Sequence, residues 1–178
     1  EALERPFVLL AKWGGLKDVY LTKAELAASP ELKKERLSVL GQVYDRELNE
    51  PGKAIETYQT ILDVDDVDSY AIQALDRLFT REERWYDLLH NLEKQVELAP
   101  RGSDEQVSLI CRVGNLWEEK LHDLVHAVDS YRKVLDVKSE HLESIAALDR
   151  LLSNREVEFA VATVLAPIYR NSDRKGVV

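Results

Sequence analysis

His122 and His126 stand four residues apart, the spacing at which two imidazoles on one helix face can hold a divalent metal. No Cys or third His lies near them, and a second copy of this stretch carries Asn49 and Lys53 at the same places. Solvated histidines are therefore expected. DVDDVD, Asp63–Asp68, resembles the start of a calcium loop. It lacks the glycine and the final glutamate that such a loop needs, so its acids read as helix-end residues in a turn. Cys111 aligns with Ser38 in the earlier copy, and no His or acid is spaced to activate it. It reads as a small packing or surface residue. Gly14-Gly15 stands alone, does not make a phosphate loop, and reads as part of a turn. No catalytic residue, metal or cofactor is expected, and the chain reads as no enzyme.

The composition narrows the partners. The 178 residues include 24 Lys and Arg against 33 Asp and Glu, a net charge of −9. Phosphate backbones and anionic lipid select for the opposite balance, so neither nucleic acid nor membrane is an expected partner. No apolar run approaches the roughly 18–20 residues that cross a bilayer. One cysteine cannot form an internal disulfide, and no signal peptide is evident. The compartment stays open, with the cytoplasm ahead. Only 7 Gly and 5 Pro leave little room for a turn-rich β fold. The chain opens with Glu1 and has no methionine, so a piece of a longer chain is expected.

These residues are set out by a repeat. KAIETYQTILDV (Lys53–Val64) returns as HAVDSYRKVLDV (His126–Val137), an offset of 73. Gly41 maps to Gly114, Tyr44 to Trp117, and ALDRL at Ala74–Leu78 to ALDRL at Ala147–Leu151. ALERPF at Ala2–Phe7 is a third copy of the last phrase, and Trp13 follows it as Trp85 follows Phe79. Leu37, Leu40, Val43, Tyr44 and Leu48 follow helical 3–4 spacing, as do Ala54, Ile55, Tyr58, Ile61 and Leu62. NEPGK (Asn49–Lys53) and APRGSD (Ala99–Asp104) break the helices. About ten helices are expected, two of them at the front, with Trp13 and Trp85 starting second helices and plugging the gap between helices. Short helices are marginal alone, so stacking must supply the stability, as in a solenoid.

The pattern resembles the tetratricopeptide repeat (TPR). Leu40-Gly41 and Tyr44 fit its first helix, with Ala54 and Tyr58 on its second; Val113-Gly114, Trp117, Ala127 and Tyr131 match in the later copy. The style, a strict-like repeat alternating with an ALxRLF repeat, is similar to divergent bacterial multi-repeat arrays. Departures are local. The Asn49–Lys53 loop carries one residue more than usual, Asp76 and Asp149 stand where a small residue is expected, and Leu88 and Val161 replace an Ala.

The resemblance implies an all-α fold, a right-handed superhelical α-α solenoid of TPR-like helix pairs. It implies a single repeat domain over 1–178, with a partial first repeat at about 1–30 and later repeats at 34–68, 69–102, 107–141 and 142–175. It also implies a non-enzymatic scaffold whose first helices line a concave groove for a peptide or protein partner. Carried over, the groove positions are Ser38, Gln42, Asp45 and Arg46; Gln73, Arg77, Thr80 and Arg81; Ser108, Cys111, Asn115, Glu118 and Glu119; and Arg150, Ser153 and Asn154. Arg5, Arg77 and Arg150 share one register, with Gln42 and Asn115 matching between them. Such a ladder can grip carboxylates or carbonyls of a bound segment. It can equally pair within the chain, with Asp45 or Glu118 one helix away. The family's two-Lys, two-Asn carboxylate clamp is not present: Ser38 and Cys111 fall where Lys is needed. Alternatives to the scaffold are self-association through exposed end repeats and a regulatory segment of a larger multidomain protein.

Overall fold

The structure, a computed structural model, describes residues 4–175, with side chains described from residue 12 to residue 170. Arg5 and the rest of the Ala2–Phe7 phrase lie outside the described side chains. Among the described residues there are helices and no strand: α1 (Glu4–Glu25), α2 (Pro30–Gln42), α3 (Pro51–Val64), α4 (Ser69–Arg81), α5 (Trp85–Leu98), α6 (Asp104–Leu116), α7 (Leu124–Val137), α8 (Leu142–Leu151) and α9 (Glu158–Lys175). They fall into two compact units, residues 1–84 and 85–178. The division lies between α4 and α5, inside the segment 69–102.

Helix starts follow side-chain chemistry. Ser29 accepts from the Leu32 amide at 3.2 Å and Asp68 from the Ala71 amide at 2.9 Å. Ser103 and Asp123 do the same for α6 and α7, at 3.1 and 3.0 Å. Each satisfies an amide that the first helical turn leaves unbonded. Pro30 and Pro51 are first residues of their helices, where no backbone donor is needed.

The front of the chain differs from expectation. It forms one helix, α1, instead of two, so Gly14-Gly15 is no turn and Trp13 lies mid-helix instead of starting one. No Ser, Thr, Asp or Asn occurs between Glu4 and Gly15 to cap a second helix. Two glycines cost about 1 kcal/mol each in helix propensity, but they keep their amides and do not break the ladder.

In unit 1 each helix packs on the next, α1 on α2, α2 on α3, α3 on α4. The buried side chains are those of the helical stripes: Leu37, Leu40, Val43 and Tyr44; Ala54, Ile55, Tyr58 and Ile61; Ile72, Leu75, Leu78 and Phe79. Unit 2 repeats the arrangement from α5 to α9. Val107, Cys111, Ala127, Val128, Tyr131, Val134, Leu148 and Val161 lie at its centre. Full burial of a Leu or Ile side chain contributes about 1.5–3 kcal/mol, so these stripes hold the helices together.

The two copies match at their tightest point. A Cβ on Gly41 would lie 2.6 Å from Cζ of Tyr58, and one on Gly114 would lie 2.7 Å from Cε1 of Tyr131. Ala54 and Ala127, on the partner helices, are both fully buried. The glycine is thus fixed by an aromatic ring that presses on the helix backbone. The extra residue expected in the Asn49–Lys53 loop is taken up earlier. The end of α2 widens into a π-turn, Val43–Glu47, where the Leu48 amide bonds the Val43 carbonyl at 3.0 Å. The end of α6 widens likewise at Trp117–Leu121. Asn49 and His122, equivalent in the repeat, then close the turn with φ of 52° and 55°. A lone Asn or His tolerates that left-handed geometry better than a branched residue.

Candidate partner-binding faces

In unit 1 the polar face is built by α2 with its π-turn and by α4. Gln42 Nε2 donates to the Tyr70 hydroxyl at 2.8 Å, and Arg81 Nη1 donates to Asp45 Oδ1 at 2.7 Å. Tyr70 and Arg81 are about three turns apart on α4 and so share one face. Arg77 lies on that face between them. It is exposed, and among the described residues it makes no ion pair. Arg46 and Gln73 are exposed as well. Arg81 is held in its charged form by its bonds to Glu82 and Asp45. Beneath the face, Tyr58 meets Tyr70 edge-on with centroids 6.0 Å apart. Burial pushes the Tyr58 phenol up from its ordinary value, Tyr70 and Asp45 add to the shift, and the Arg77 charge pulls against it.

Unit 2 arranges the same register differently. The Tyr131 hydroxyl lies 2.7 Å from both Asn115 Oδ1 and Glu118 Oε2. A single O–H donates to one acceptor, and the carboxylate is the stronger. The Asn115 amide is best satisfied by turning its NH2 toward the phenol oxygen. Burial, then the Glu118 bond, raise the Tyr131 pKa. Arg150 Nη2 donates to the same carboxylate, at 3.2 and 3.4 Å from its two oxygens. The internal pairing of Arg150 with Glu118 is therefore present. In unit 1 the acid goes to Arg81 and not to Arg77.

Other groove positions fall elsewhere. Asn154, expected on the last ALDR helix with Ser153, lies beyond α8 in the following turn, where its Oδ1 accepts from the Glu156 amide at 2.9 Å. Thr80 turns its hydroxyl back to the Asp76 carbonyl. Glu119 is exposed. Cys111 is buried, with the Ser144 hydroxyl 3.9 Å from its sulfur, and burial holds the thiol above its ordinary pKa. With Ser108, Asn115, His141 and Glu143 it lines a cavity of about 230 Å³.

The other residues with chemical potential are engaged in packing and turns. Asp65 and Asp68 of DVDDVD stand at the helix ends in the turn between α3 and α4, where both clasp Lys34 of α2 and Asp68 caps α4. The bond to Lys34 holds the Asp65 carboxyl below the usual range. His126 stacks on Trp117 at 4.5 Å and pairs with Asp123 at 2.8 Å, while His122 occupies the left-handed turn. Trp85 begins α5 half-buried, with Lys120 Nζ 5.1 Å from its ring centroid. The repeat pattern places Tyr58 and Tyr131 on second helices and says nothing of their hydroxyls, which the structure engages. The signal was Tyr in both copies where Phe would fill the same gap.

Arrays of helices packed consecutively in this way define an all-α helical-repeat fold. No protein-family model matches the chain, and no curated protein matches it. Among solved structures, two crystal structures of MamA are similar to it. Each covers 94% of this chain at 13% identity, with TM-scores of 0.52 and 0.51, over 93% and 94% of the MamA chains. MamA is a TPR-type helical-repeat protein. The likeness is one of fold.

Proposed function

We propose that the chain is a non-enzymatic interaction scaffold that receives a peptide or protein surface on its first-helix faces. The single observation that carries this is the α2/α4 face. Two side-chain ties, Gln42 to Tyr70 and Asp45 to Arg81, lock the helices together. They leave Arg46, Gln73 and Arg77 exposed on rigid elements. Polar donors that packing does not use, held on a preorganised surface, are what a partner needs to bind without a large ordering cost. Affinity capture read by mass spectrometry tests it. A partner retained by the wild type should be lost by the R77A/R150A double variant, with helicity by circular dichroism unchanged. Equal capture by both would remove this face as the binding site.

A second role, self-association, is favoured by the α8/α9 pair. Leu142 and Phe159 are 80% and 87% exposed. Leu135, Ile145, Val164, Pro167 and Ile168 line an adjoining groove of about 1080 Å³. Sedimentation velocity across a wide concentration range decides this, because a strict monomer at high concentration counts against it.

A further inference from the structure

We infer that unit 1 presents a docking point for a carboxylate of an acidic partner segment, centred on Arg77, and that unit 2 has its equivalent point closed by its own glutamate. This rests on the scaffold role proposed above and adds the chemistry of the partner.

Arg77 and Arg150 occupy the same register in the two copies. Arg150 is neutralised by Glu118. Arg77 has lost that partner because Asp45, the equivalent acid, is held by Arg81 at 2.7 Å. Unit 2 has no such competitor, since Asn154 stands at the place of Arg81 and has left the helix. The unit 1 face therefore carries Arg46, Arg77 and Arg81 against Asp45 and Glu82, both held by Arg81, while the unit 2 face carries Glu118 and Glu119 against Arg150. Nearby groups do not close the gap. Asp45 is engaged by Arg81, and Glu82 is bonded to the same guanidinium.

The site also has geometry. Arg77 sits between two fixed ties that bind α2 to α4, so its stem rises from a rigid platform. A guanidinium presents two parallel N–H donors that match a carboxylate, which a neutral amide or a hydroxyl partner does not use fully. The exposed amide of Gln73 lies one turn earlier on the same face, placed to donate to the same segment. The overall charge of −9 does not cancel this. Charges beyond about 8 Å are largely screened at physiological salt, so the local excess governs the last step of docking.

The test uses the whole chain labelled for arginine side-chain NMR, with an octa-glutamate peptide as probe, and octa-glutamine and inorganic phosphate as controls. Octa-glutamate should shift the Arg77 Nε–H signal and the Gln73 side-chain amide saturably, with no shift at Arg150. R77Q should weaken binding about tenfold, as expected for loss of a charge-assisted bond. E118Q should release Arg150 and create a second site in unit 2. Three results would overturn the inference: no saturable shift at Arg77, equal shifts with octa-glutamine or phosphate, or an E118Q protein that still binds only once. If a captured protein partner depends on the α2/α4 face while octa-glutamate does not bind, the scaffold role stands and the acidic docking point falls.

Discussion

In unit 1 the acid one turn after the packed glycine, Asp45, pairs with an arginine in the last turn of α4. In unit 2 the equivalent acid, Glu118, pairs with an arginine one turn earlier in α8 and accepts a tyrosine hydroxyl besides. The helices beneath are alike down to the glycine pressed by an aromatic ring. The difference comes from one methylene and one exchange. Glu118 is longer than Asp45 and reaches both Tyr131 and Arg150, and Asn154 in place of Arg81 removes the competing cation. A repeat can thus copy its packing closely and still present opposite charge on equivalent surfaces, because exposed side chains pair by reach and number while the core is set by volume.

The largest expected effect lies in what the units share. G41A and G114A each force a methyl into a rigid tyrosine ring, an overpacking cost of about 1–3 kcal/mol. About 1 kcal/mol of this is returned by the better helix propensity of alanine. G14A meets no atom within 4 Å and should stabilise by about 0.5–1 kcal/mol. Urea melts check all three. If G41A is harmless while G114A is damaging, the two units are not packed alike.

Next are the tyrosines, where the units part. Y131F removes a hydroxyl bonded to a charged group and should cost about 1.5 kcal/mol. Y58F, whose hydroxyl has no carboxylate partner among the described residues, should cost about 0.5–1 kcal/mol. Both phenols have folded pKa values raised above the ordinary 10.0. Their neutral forms contribute fully below that pH, and the contribution is lost as pH rises above it. Each Phe variant should therefore flatten the alkaline fall in melting temperature. A fall unchanged in both variants would show that other groups cause it.

The smallest effects belong to the surface pairs. Double-mutant cycles of Asp45 with Arg81 and of Glu118 with Arg150 should each give about 0.2–1 kcal/mol. The unit 1 pair should couple more strongly, since its contact is 2.7 Å against 3.2 Å. Both couplings should shrink in high salt. A stronger cycle in unit 2 would mean that the Tyr131 hydrogen bond reinforces the pair more than distance weakens it.

The core was legible in the residues. Leu37, Leu40, Tyr44, Tyr58 and Ile61 sit at helical spacing, and burial follows spacing because a helix turns at a fixed rate. The breaks at Asn49–Lys53 and Ala99–Asp104 separate helices as their Pro and Gly imply, while the capping bonds of Ser29, Asp68, Ser103 and Asp123 emerge only in the structure. At the front, Gly14-Gly15 suggests a turn, but no capping residue stands near to start a second helix, and a single helix forms. The fate of the extra residue before Pro51 could not be read, because a loop and a widened helical turn absorb one residue equally well in sequence. On the candidate faces, Glu118 with Arg150 was anticipated as one of two outcomes, while Arg81 with Asp45 was not.

The sequence by itself determined which residues repeat, which faces are apolar and where helices break, since these depend on neighbours within a few positions. Only the tertiary structure decided which carboxylate meets which guanidinium, and therefore which of two equivalent arginines stays open to a partner. That outcome depends on distances between separate helices, where a single methylene of reach changes the partner and no local pattern records it.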